Sequence, residues 1–157
     1  MKYRIETDFL GEMKIPYDAY YGIHSKRAVD NFPIADVAIS VYPNIVIAYA
    51  MVKLACARAN NKLGLLDDEI YKPIVSACER IIDGEFHEQF VVEIIQGGAG
   101  TSTNMNANEV IANVALEMIG KEKGDYEAIS PLTHVNMSQS TNDTYPTALL
   151  VGFLKEY

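Results

Sequence analysis

At 157 residues, 49% of them hydrophobic and 22% charged, the chain has the makeup of one ordinary globular domain, which excludes a disordered or fibrous segment. Thirteen lysines and arginines against 21 aspartates and glutamates leave a formal net charge of −8. That sign argues against nucleic acid as a partner, and any anionic ligand has to be captured by local donors against the overall field.

The opening MKYRIETDF has no apolar leader core, and no apolar run reaches the roughly 18 residues of a membrane span, so a cytoplasmic location is expected. Lys2 to Glu6 alternates like a strand, Gly11 marks a turn, and Met13 to Ile15 reads as the returning strand of a hairpin ended by Pro16. The remainder of the first third reads as irregular. From Pro43 a helix is predicted, with Ile45, Tyr49, Val52, Cys56 and Ala59 on its apolar face and Gly64 as its stop. A second helix is predicted from Asp67, where Asp68 and Glu69 suit the positive end of the dipole. It carries Ile70, Ile74, Ala77 and Ile81, has Pro73 near its first turn, and stops at Gly84. Cys56 and Cys78 sit within these helices among small or apolar neighbours and read as buried, reduced thiols.

A third helix is predicted after the segment Gln96 to Asn104, opened by a capping box of Asn106 and Glu109, faced by Ile111, Val114, Ala115 and Met118, and ended by Gly120. The last helical segment begins near Tyr145 and Pro146 and runs through Phe153 and Leu154 with no terminating signal. So apolar a helix needs partners outside this chain, and a fragment of a larger protein is expected. The fold class expected is mainly α, with a small β-hairpin at the N-terminus.

Two stretches placed before helices carry the candidate chemistry: Gly97 to Asn104 (GGAGTSTN) and Ser138 to Asp143 (SQSTND). Glycines let backbone approach a ligand, and free N–H groups with neighbouring hydroxyls form an anion cradle. Neither stretch is a phosphate loop, since GxxxxGK[ST] is absent, and the dinucleotide fingerprint lacks its third glycine. Either stretch alone reads as ordinary capping and loop chemistry. Two of the same character, rich in neutral donors, point to a carboxylate site, because such donors stabilise a charge that grows during reaction.

The strings GGAGTSTNMNANEVIAN (Gly97 to Asn113), HVNMSQSTNDTYPTA (His134 to Ala148) and AYYGIHSKRAVDNFPI (Ala19 to Ile34) resemble the aspartase/fumarase superfamily. The GGAGTS form at Gly97 to Ser102 is similar to its aspartase branch; fumarases carry TGSGTQ there. The fumarase His-Pro-Asn-Asp loop reads Ile129, Ser130, Pro131, Leu132 here, without the histidine. The resemblance implies reversible deamination of L-aspartate to fumarate and ammonia through an aci-carboxylate. By position it implies that Thr101, Ser140 and Thr141 hold the β-carboxylate and that Asn142 lies near the amino group, with Ser102, Thr103 and Asn104 ranked below them as loop and cap residues. It implies no organic cofactor, and a homotetramer whose active sites draw on three subunits, with a helical N-terminal domain over 1–140 and the start of a long central-bundle helix over 141–157; no metal ligand is assigned. The family's general base is a serine in a GSSxMPxKxNP motif that does not occur here, so no catalytic residue is assigned and the isolated chain is expected to be inactive. Fumarate hydratase and a non-catalytic dicarboxylate-binding piece are the alternatives. His134 is expected to make a structural hydrogen bond, His24 and His87 to be surface or packing residues, and Tyr20 and Tyr21 to pack.

Overall fold

Two antiparallel strands lead into five α-helices in the computed structural model, which describes residues 2–95 and 98–156. The order is β1 (Tyr3–Asp8), β2 (Gly11–Pro16), α1 (Ile23–Asn31), α2 (Pro43–Lys62), α3 (Asp68–Ile82), α4 (Thr101–Met118) and α5 (Thr141–Leu154). A π-helical turn at Pro131–Val135 precedes α5. The mainly helical architecture with an N-terminal hairpin is the one the sequence predicts. No helix among the described residues is long and apolar enough to cross a membrane.

In the hairpin Tyr3 faces Pro16 and Asp8 faces Gly11 across the ladder. The inward positions of β2 are the apolar Met13 and Ile15, whereas those of β1 are charged. The Arg4 guanidinium donates to the carbonyls of Ala19 and Tyr21, both at 2.7 Å, Glu6 accepts from the Ile23 amide at 2.8 Å, and Asp8 pairs with Arg27 at 2.7 Å. The strand therefore turns Arg4, Glu6 and Asp8 toward the protein because the first two bind backbone leading into α1 and the third binds the Arg27 side chain on it, while Tyr3 and Ile5 stay exposed.

Helix α1 lies in the stretch predicted to be irregular. Its N-cap is Gly22, which offers no side-chain acceptor. The orphan amides of the first turn are taken instead by Glu109 of α4, which accepts from the amides of Gly22, His24 and Ser25 at 2.9, 2.9 and 3.1 Å. The His24 ring bonds the same carboxylate at 3.1 Å, and that bond raises the pKa of this half-exposed histidine. A raised value means that the contact contributes fully below the ordinary histidine range and is lost as pH rises through the folded value. The melting-temperature gap between wild type and His24→Leu is therefore expected to narrow as pH rises above the ordinary histidine range; a constant gap would show that the contact does not titrate.

Helices α2, α3 and α4 end where glycines stop them, with Gly64, Gly84 and Gly120 all at positive φ. On α3 the predicted face holds: Ile74, Ala77 and Ile81 are fully buried, each isoleucine contributing roughly 2 kcal/mol of burial. On α2 the buried stripe is Ile45, Tyr49, Lys53, Ala57 and Asn60, not the one predicted through Val52, Cys56 and Ala59. Cys78 is buried and Cys56 half-buried, both as free thiols.

Helix α4 runs through the centre, and every residue from Thr103 to Leu116 is buried. It begins at Thr101, five residues before the predicted capping box. Asn106 and Glu109 are interior positions: Asn106 bonds the Val92 amide and the Gln89 carbonyl, and Glu109 caps α1. Helix α5 likewise starts earlier than predicted, at Thr141, and contains Pro146. It packs closely on α2, where Gly152 leaves only enough room that an added Cβ would stand 3.3 Å from the Asn44 carbonyl oxygen.

Candidate functional site

The first turns of α4 and α5 abut, and Gly100 makes this possible. It is the N-cap of α4 at φ 83°, a left-handed conformation that costs other residues energy. A Cβ at this position would lie 2.1 Å from the ring of Tyr145 on α5. With only hydrogen there, the start of α4 can approach that ring closely. At α5, Ser140 is the N-cap, its Oγ accepting from the Asn142 amide at 3.2 Å.

Asn104, one turn into α4, joins the two helix starts. Its Nδ2 donates to Thr141 Oγ1 at 3.2 Å and to Asn136 Oδ1 at 3.1 Å, while its Oδ1 accepts from Thr144 Oγ1 at 3.0 Å. Beneath it lies Lys53 of α2, fully buried, whose Nζ donates to Asn104 Oδ1 at 2.7 Å, Gln139 Oε1 at 2.8 Å and Asn136 Oδ1 at 3.0 Å. Burial pushes the Lys53 pKa down to about 7. Asn108 Nδ2 adds a further bond to Asn136 Oδ1 at 3.2 Å. The buried Asn108 Oδ1 and the Tyr49 hydroxyl have no hydrogen-bond partner among the described residues.

Of the residues singled out in the sequence, Thr101, Ser140 and Asn142 are exposed and Thr141 is half-buried, all in these two first turns. Gln96 and Gly97, at the start of the first candidate stretch, lie outside the described residues. Ser102 is half-buried and Thr103 buried within α4. The polar groups that tie the turns together are Lys53, Asn104, Asn136 and Gln139, none of which the sequence marks as a site residue. Lys53 carried one legible signal: it continues an i, i+4 stripe from Ile45 and Tyr49, where an apolar residue is the default.

Thr101 also borders a cavity of about 320 Å³ shared with Ser102, Met105, His24 and Arg27. A larger cavity, about 570 Å³, lies between the hairpin, His24, Tyr126 and the turn Ser130 to Leu132. Glu6 and Asp8 line it, so it is ill suited to a dicarboxylate. His134 accepts at Nδ1 from the Ser130 amide at 3.0 Å, the structural bond expected of it, and burial lowers its pKa. His87 bonds the Ile81 carbonyl, and Tyr20 reaches Glu117 through its hydroxyl. No group of three or more metal-ligating side chains occurs among the described residues.

The uncharged donors of two helix N-termini, set side by side, make a surface suited to a carboxylate. Comparison with known proteins bears on its identity. A family model described as Lyase matches residues 11–157. An aspartate ammonia-lyase of Pseudomonas aeruginosa is 59% identical over 151 residues, 96% of this chain and 32% of its own length. That of Bacillus subtilis is 53% identical over 154 residues, 98% of this chain and 32% of its own. Among solved structures, a fumarate lyase:delta crystallin from Brucella melitensis superposes with a TM-score of 0.95 at 58% identity, covering 97% of this chain and 34% of that one. A class II fumarase from Schistosoma mansoni gives 0.91 at 35% identity, covering 99% and 32%. The chain spans about a third of the length of the curated relatives it matches.

Proposed function

The chain belongs to the Lyase family, and on that premise we propose that the protein eliminates ammonia reversibly from L-aspartate to give fumarate, with the first turns of α4 and α5 as one carboxylate-binding wall of the site. The observation that carries this reading is the Asn104 to Thr141 bond, which sets two turns rich in neutral donors against each other, with no fixed cation in either and the exposed Asp143 as the charged side chain in the first turn of α5. Removing the proton at Cβ places a second negative charge on the adjoining carboxylate. Thr101, Ser140 and Thr141 stabilise that aci-carboxylate by donating to its oxygens, and Asn142 stands near the amino group. Collapse of the dianion then breaks the Cα–N bond and the electron pair leaves with ammonia.

The proton-abstracting base lies outside these 157 residues. The enzyme acts on a small molecule, requires no organic cofactor, and is a cytoplasmic homotetramer. Exposed Leu150, Phe153 and Leu154 on α5, taken here as the opening of a central helix bundle, support the assembly.

The test is the full-length protein given L-aspartate, with fumarate and ammonia both measured; fumarate hydration without ammonia release rejects the reading. Thr101→Val is expected to lower turnover about 100-fold, as for loss of one oxyanion donor. Ser140→Ala is expected to do the same, with a further loss of about 1 kcal/mol from its cap. Near-normal kinetics in both would remove these residues from the site.

A further inference from the structure

We propose that Lys53 is a positioning residue for this carboxylate wall: its ammonium group clamps Asn104 of α4 to Asn136 and Gln139 of the turn before α5, fixing the gap between the two helix starts and placing a positive charge behind them. The proposal rests on the functional reading above and adds a residue to it.

Three features of the site carry the argument. The first is the coordination. All three partners of Nζ are amide carbonyl oxygens, at 2.7, 2.8 and 3.0 Å. An ammonium has three donors and no acceptor, so it satisfies all three, whereas a neutral amine would turn its lone pair on one of them. The second is the missing counter-ion. Lys53 takes part in none of the ion pairs among the described residues, and the titratable groups around it are the thiols of Cys56 and Cys78 and, one turn away, the Tyr49 hydroxyl. Burial raises the pKa of all three, Cys78 to about 12, so they stay neutral near pH 7. A methionine or leucine would fill the same volume without the cost of an unpaired buried charge, so packing alone does not account for a lysine here.

The third feature is direction. Asn104 passes the charge outward: its Oδ1 accepts from Lys53, and its Nδ2 donates to Thr141 Oγ1. Because Thr141 Oγ1 accepts from Asn104, its own hydrogen is free to point away from the core, toward a ligand. Each bond in such a chain polarises the next. The ammonium thus reinforces the positive ends of α4 and α5 without touching the substrate.

The test uses the full-length protein and succinate, a dicarboxylate that cannot eliminate. For wild type, succinate affinity is expected to fall about tenfold as pH rises through the region near 7 in which Lys53 loses its proton. Lys53→Met is expected to bind succinate about tenfold more weakly at low pH and to lose that pH step, with KM for aspartate rising in parallel. Wild-type affinity and an unchanged pH step in Lys53→Met would overturn the proposal. Should Lys53→Met fail to fold, Gln139→Met decides the matter, since it cuts one arm of the clamp and leaves the charge in place. Severalfold weaker succinate binding at an unchanged melting temperature supports the proposal, and unaltered binding refutes it. A wild-type protein that neither binds succinate nor deaminates aspartate would instead refute the functional reading itself.

Discussion

Replacing Glu109 by alanine is expected to destabilise the protein by about 3–5 kcal/mol, the range for breaking a buried, fully bonded charge cluster. The carboxylate accepts from the amides of Gly22, His24 and Ser25, from Ser25 Oγ at 2.5 Å and from the His24 ring. Truncation leaves the amides of Gly22, His24 and Ser25 without their acceptor in a region where Ser25 and Ile23 are buried from water. The damage then spreads by contact. The hairpin is held to α1 through Glu6 on the Ile23 amide and Asp8 on Arg27, so a frayed α1 loosens both strands. Gln at this position keeps the volume but turns an amide N–H₂ toward backbone donors, and a smaller loss is expected. Denaturant midpoints of the full-length protein measure the effect. A loss under about 1 kcal/mol for the alanine variant would mean that α1 is not held by this carboxylate.

Gly100→Ala is expected to cost about 3–5 kcal/mol and to reduce turnover with it, through two separable effects. The left-handed backbone at φ 83° penalises any Cβ by roughly 1–2 kcal/mol. The new carbon would also lie 2.1 Å from Cγ and Cδ2 of Tyr145, so α4 and α5 have to part or the ring has to swing away from Tyr49, its neighbour at 6.5 Å between centroids. Adding Tyr145→Ala is expected to relieve the steric share and leave the backbone share, so the double variant should be more stable than the sum of the single losses implies. Strict additivity in melting or denaturant midpoints would show that the two residues do not meet.

The hairpin, α2 and α3 were legible because their causes are local: alternation, an apolar stripe, a proline to begin and a glycine to end. Helix α1 was not, because its cap is a glutamate on another helix. The start of α4 was misread for a related reason. Thr101 to Asn106 looks like loop because it is polar, yet Thr103, Asn104, Asn106, Asn108, Glu109 and Asn113 are all buried, their polarity directed at partners inside the fold. Binary patterning has no means of registering a helix that buries four asparagines. The two candidate stretches could be picked out by composition, since neutral donors before a helix have a recognisable look. What joins them could not: Asn104 resembles an ordinary cap residue in sequence, and the apolar spacing through Val52 and Cys56 draws the predicted face of α2 away from Lys53.

Because α4 is at once the hydrophobic centre and the support of the proposed carboxylate wall, its buried Asn104, Asn106, Glu109 and Asn113 each belong to more than one bond. Drift toward a different acid would therefore have little freedom at these positions, where any change unsettles the interior before it alters recognition. Room for new selectivity lies at the rim, in Thr101, Ser140 and Asn142, whose side chains face water and can be exchanged without reopening the middle of the molecule.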